Sequence, residues 1–218
     1  MTRTATGTEA KSGRLLTRSW SWTSEASGTF PGDTGTPGEQ WVKIIGIAAS
    51  LHVGSFINRL LDAAGGELPE GVRFEIWAGL GDVPPYQAGK VPVTARELLG
   101  LVSGADAVLL TAPEHSLLPM ELTYALQWLS AGDVLAGKHV AVMSASARAC
   151  GAMWAQAELY KQLQGADVVV MGAELVISPA CPHFDDHGRL IDAELRDQVR
   201  AVIGQLCPAG AMEPAFSL

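Results

Sequence analysis

From Val42 onward, short apolar runs and helix-periodic segments take turns along the chain. Strand-like runs stand at 42–48 (VKIIGIA), 72–77 (VRFEIW), 106–111 (DAVLLT), 139–144 (HVAVMS) and 168–177 (VVVMGAELVI). Helix-patterned segments lie between and after them, near 56–66, 93–103, 119–130, 151–164 and 191–206. The runs are rich in Val, Ile and Leu and scarcely alternate, as expected of strands buried on both faces of a parallel sheet. Strands alternating with helices predict βαβ units with right-handed crossovers, and hence helices on both faces. Five strands and five helices suit an α/β doubly wound five-stranded parallel sheet of order 2-1-3-4-5. In that order the loops after strands one, three and four converge at one crevice. They are Ser50–Ser55, Pro113–Pro119 and Ser144–Gly151.

Residues 1–40 break the pattern. They are rich in Thr, Ser and Gly without periodicity, a composition expected to remain an unstructured tail. Trp20 and Trp22 stand out there as a candidate docking patch. The expected organisation is therefore a tail over 1–40, a domain over 41–207 and a short flexible end over 208–218.

Composition removes several function classes. Of 218 residues 48% are apolar and 17% charged, enough for one α/β domain with a substantial core. A net charge of −8 without a basic stripe argues against nucleic acid. No apolar run approaches the ~20 residues needed to cross a bilayer, and the amino terminus has no signal-like apolar region. Three widely spaced cysteines without a CxxC pair read as reduced thiols, so a cytoplasmic setting is expected.

The loops carry the candidate chemistry. In Ser50-Leu51-His52-Val53-Gly54-Ser55-Phe56-Ile57-Asn58, two hydroxyls, a histidine, a glycine and an amide surround a helix start, which suits an anion. Ser55 alone would serve as a helix cap. Glu114 and His115 are candidate acid/base groups, and a Ser-His-Glu hydrolytic arrangement lacks a Gly-x-Ser-x-Gly elbow. Arg148 suits a substrate carboxylate or phosphate, and Cys150 beside it suits a thiol of lowered pKa or a small core residue. His139 reads as structural. His183 and His187 with Asp185 or Asp186 make a weak metal pattern, and no metal site is expected.

The motifs also resemble a known family. Strand, then Ser-x-(basic)-x-x-Ser, then helix is similar to the opening of the NADPH-dependent FMN reductases, flavodoxin-like proteins. Pro113-Glu114-His115-Ser116, with a helix ending Trp128-Leu129-Ser130, resembles their second flavin loop, Pro-Glu-Tyr-Asn-Gly and its helix. Pro84-Pro85-Tyr86 and Phe184–Asp192 resemble two further family turns, and the likeness spans about 43–206. The chain has His52 where the family has arginine, Asn58 one place late, and His115-Ser116-Leu117 in place of Tyr-Asn-Gly. The resemblance implies bound FMN with NADPH or NADH as co-substrate, and electrons passed to a small acceptor such as free flavin or a quinone. It implies phosphate contacts from Ser50, His52, Ser55 and Asn58. Ring contacts would come from Pro113, Glu114, His115, Ser116 and Leu117, then Ser146 and Gly151. A homodimer is implied through the helices after strands three and four. A second reading keeps the fold without flavin, as a non-redox enzyme or binding module for a small metabolite using His115 and Glu114.

Overall fold

The computed structural model describes residues 8–12, 15–21, 42–52, 54–112, 118–147, 151–171, 175–177 and 179–207, with the backbone alone over 8–21 and 151–153. The strands are β1 (Thr8–Ser12), β2 (Leu15–Ser21), β3 (Val42–Ala48), β4 (Val72–Trp77), β5 (Ala107–Ala112), β6 (His139–Ala145), β7 (Val169–Val170) and β8 (Leu175–Ile177). The helices are α1 (Phe56–Gly66), α2 (Val93–Ser103), α3 (Met120–Ala131), α4 (Gly151–Leu163) and α5 (Ala193–Leu206).

The sheet runs β1-β2-β4-β3-β5-β6-β7, with β8 also paired to β6. From β4 to β8 every pairing is parallel, which gives the expected order 2-1-3-4-5. The fifth strand differs from the expected continuous run over 168–177. It forms two short pieces, one against the start of β6 (His139 opposite Val169) and one against its end (Met143 opposite Leu175).

Burial explains the apolar runs. All six residues of β5 are buried, as are Ile44, Ile45 and Ile47 of β3. Helix α1 covers one face with Ile57, Leu60, Leu61 and Ala64, spaced as one helical stripe. Gly46 is needed beneath it. A Cβ there would stand 2.5 Å from Phe74 Cζ, so a side chain would expel the ring from the core.

The far end of α1 is fastened by charge. Glu67 is buried, and its carboxylate accepts hydrogen bonds from Arg196 Nε and Arg200 Nε of α5, both at 2.6 Å. Two half-exposed guanidinium groups thus compensate one buried anion and join the first helix to the last.

The amino-terminal segment departs from the expectation of an unstructured tail at two places. β1 and β2 form an antiparallel hairpin, and β2 pairs with β4 from Thr17 opposite Trp77 to Ser21 opposite Arg73. The physical reason lies in the backbone. An edge strand offers a row of unpaired N–H and C=O groups, and a segment poor in apolar residues still satisfies them. Trp20 stands opposite Phe74 in this register. Trp22, the rest of 1–41 and residues 208–218 lie outside the described residues.

Candidate functional site

The sheet order sets the carboxyl ends of β3, β5 and β6 side by side at one edge, and the first loop leaves from there. It is held by its own hydrogen bonds. Ser50 Oγ accepts from the His52 N–H (3.2 Å), and the Ser55 N–H donates to the His52 carbonyl (3.3 Å). Ser55 then caps α1, its Oγ accepting from the Asn58 N–H at 3.3 Å. Gly54 has φ +84°, a left-handed turn that a side chain would strain, and open space surrounds the position of its missing Cβ. Both serine oxygens act as acceptors here, so each hydroxyl proton remains available to a ligand.

The Asn58 side-chain amide donates to the His52 carbonyl at 2.7 Å, so one of its N–H groups helps fix the loop's shape. Ser50 is half-buried, and His52 is exposed.

Beneath this edge several polar groups are fully enclosed. Ser144 O–H donates to Gln156 Oε1 at 2.9 Å, which joins β6 to α4. Gln156 Nε2 and Thr111 Oγ1 are buried with no hydrogen-bond partner among the described residues. Ser146 is buried too. Its N–H donates to the Ile177 carbonyl (3.0 Å) and its carbonyl accepts from Ala180 (2.8 Å), which ties the third loop to the fifth strand. Gly151 opens α4. Pro113, Glu114, His115, Ser116 and Leu117, together with Arg148 and Cys150, lie outside the described residues.

The two outlying turns pack nearby. Tyr86 meets Trp128 edge-on at 4.8 Å between centroids, and Trp128 Nε1 donates to the Pro84 carbonyl at 2.9 Å. In the last turn Asp185 accepts from the backbone of His187 and Arg189 and from Arg189 Nε (2.7 Å). These bonds, the Arg189 N–H foremost, hold the Asp185 carboxyl below the usual carboxylate range. Asp192 caps α5 by accepting from the Leu195 N–H. That bond chiefly, with His183 Nδ1 at 3.0 Å, lowers its carboxyl as well. The histidine pattern is thus occupied in part by a helix cap. Among the described residues no group of side chains is arranged to hold a metal ion.

Arg59 escaped sequence reasoning. It stands one turn into α1, with its guanidinium carbon 5.3 Å from the centroid of the Phe56 ring. The signal was present in the spacing. A helical side chain leans toward the amino terminus, so a residue four after the cap overhangs the first turn.

This donor set suits a phosphate-bearing ligand. Two hydroxyls and an exposed histidine stand at a helix start whose dipole favours negative charge, and a guanidinium lies over the ring of the first helical residue. Among the described residues no helix is long and apolar enough to cross a membrane.

Comparison with known proteins gives this geometry its chemistry. Over 167 residues the chain is 31% identical to an NAD(P)H-dependent FMN reductase of Pseudomonas aeruginosa, covering 73% of this chain and 90% of the relative. The fold is similar to that of FerB, a flavoenzyme NAD(P)H:(acceptor) oxidoreductase from Paracoccus denitrificans. The TM-score is 0.64 at 22% identity, over 76% of this chain and 97% of that one. An oxidoreductase from Corynebacterium diphtheriae shares the fold at TM-score 0.58 and 14% identity, over 77% and 95% of the two chains. Residues 42–181 match the family model for NADPH-dependent FMN reductase. The chain therefore belongs to the NADPH-dependent FMN reductase family and is an NAD(P)H-dependent oxidoreductase that uses FMN.

Proposed function

We propose that the protein takes electrons from NADH or NADPH and delivers them, through FMN held at the carboxyl edge of its sheet, to a free flavin, a quinone or another small acceptor. The observation that carries this reading is the first loop, where Ser50, His52 and Ser55 surround the start of α1 with hydroxyl protons still to donate. These residues bind the phosphate, and Asn58 keeps the loop in shape through its bond to the His52 carbonyl. Ring contacts fall to Pro113, Glu114, His115, Ser116 and Leu117 and to Ser146 and Gly151. Bound FMN supplies the two-electron relay between nicotinamide and acceptor. The chain's part is to orient the cofactor and leave one side open to substrates, with the catalytic domain spanning 41–207.

The working unit in this reading is a cytoplasmic homodimer. Helices α3 and α4 each begin with a large exposed apolar side chain, Met120 (57% exposed) and Trp154 (70%), on the elements that the family resemblance assigns to the subunit contact. The flavin-free reading rests on Glu114 and His115, which lie outside the described residues, and no observation favours it.

The visible spectrum tests the proposal. The purified protein titrated with FMN should quench flavin fluorescence, and the complex should bleach on adding NADPH or NADH without air. Unquenched FMN at high micromolar protein would refute it.

A further inference from the structure

We infer that Arg59 is the residue that reads the flavin phosphate and so sets a preference for FMN over the same flavin without phosphate, an inference that rests on the cradle assigned above. The loop from Ala49 to Asn58 contains one basic residue, His52, and no permanent cation. Hydroxyls and a helix dipole hold a dianion weakly without a fixed charge beside them, the more so in a chain of net charge −8. Arg59 is the first permanent cation after the loop, four residues on from the Ser55 cap and so on the same side of the helix.

Three observations fix it there. Its guanidinium carbon lies 5.3 Å from the ring centroid of Phe56, the first residue of α1, so the charge sits at the level of the first helical turn. Its stem is braced by the last turn. The Arg59 Cγ, Cδ and Nε atoms each lie 3.3 Å from where a Cβ on Gly188 would stand, and Gly188 has φ +77°, so a side chain here would both strain the turn and press on the stem. In that turn Arg189 Nε is paired with Asp185 at 2.7 Å, and the Asp186 side chain is exposed. Among the described residues no carboxylate pairs with Arg59.

A guanidinium that is positioned, half-buried and without a counter-ion among the described residues is suited to an incoming anion. Its planar fork matches two phosphate oxygens at once, which the imidazole of His52 cannot do. Riboflavin offers the same ring and lacks the anion, so the contact should appear as discrimination between two flavins.

The test is a fluorescence titration of the full-length protein with FMN and with riboflavin, for wild type, Arg59→Gln, Arg59→Lys and His52→Ala. Wild type should prefer FMN. Arg59→Gln should weaken FMN binding by about tenfold or more, as for loss of a charge-assisted hydrogen bond, and leave riboflavin unchanged. Arg59→Lys should restore part of the preference, and His52→Ala should change it less than Arg59→Gln. Thermal melting of each variant reports folding separately. A wild type that prefers FMN, with Arg59→Gln equal to it, would overturn the role of Arg59 and leave the cradle standing. Equal losses for both flavins would make Arg59 a packing residue only. A wild type that does not discriminate between the flavins would remove the cradle, and the inference with it.

Discussion

The two ends of α1 treat charge in opposite ways. At its carboxyl end the buried Glu67 carboxylate meets Arg196 and Arg200 of α5, and Asp197 pairs with Arg200 as well, so two anions match two cations within the protein. At its amino end Arg59 stands over the Phe56 ring of the first turn, and among the described residues no carboxylate answers it. One end is electrostatically complete and joins two helices. The other, in the reading proposed above, is completed by the flavin phosphate. A set of charges matched internally contributes to folding, whereas one left open at the carboxyl edge of a doubly wound sheet belongs to binding.

The largest effect should come from disturbing the complete end. Glu67→Gln removes the anion and leaves two guanidinium groups facing each other across a buried amide. Because both arginines are about 40% exposed, water relieves part of that cost, and a loss of about 1–3 kcal/mol is expected. Urea unfolding measures it. FMN affinity at a temperature where the variant is folded should not change. If Glu67→Gln weakened FMN binding as much as Arg59→Gln does, the two ends would not be separate.

The same comparison sharpens from the other side with Arg59→Gln. In stability this variant loses little beyond a partly solvated contact with Phe56, about 0.5–1 kcal/mol. The pair of variants should therefore dissociate. One unfolds more readily and binds flavin normally, and the other folds nearly normally and loses discrimination between flavins.

How far the sequence revealed these two ends follows from the range of the interactions. The strands were legible because apolar runs such as Val108–Leu110 report burial locally, and observed boundaries fall within about two residues of the expected ones except across 168–177. The Ser55 cap was legible for the same reason, being a contact three residues long. Glu67 and Arg196 are 129 residues apart, and no local pattern announces their meeting. The hairpin over Thr8–Ser21 was missed because its bonds to β4 are made by the backbone, to which composition is blind. The bond from the Asn58 amide to the His52 carbonyl was not legible either, since it depends on the loop's path.

Ser55 stands between the two behaviours, since its oxygen accepts from Asn58 while its proton remains available. Ser55→Ala should cost about 1 kcal/mol for the lost cap. It should also weaken FMN binding by a smaller factor than Arg59→Gln, because a neutral donor is lost instead of a charge. Ser55→Thr should restore both. A variant that changed stability alone would confine Ser55 to capping.

The smallest effect concerns the turn that braces the Arg59 stem. Its Asp185 carboxyl is held below the usual carboxylate range, first by the Arg189 N–H, then by the Arg189 side chain and the His187 N–H. A carboxyl whose folded value lies below its unfolded value stabilises the fold at pH above the unfolded value, about 4 for aspartate. It loses that contribution as pH falls through the folded value. Asp185→Asn cannot titrate, so wild type should melt at a higher temperature than Asp185→Asn at pH 6, with the gap narrowing below about pH 4. Because Gly188 of this turn packs on Arg59, the FMN preference should decline over the same acid range in wild type. A gap that stayed constant from pH 6 to 3 would mean that the carboxylate does not hold the turn. The open end of α1 would then owe its geometry to the Phe56 contact alone.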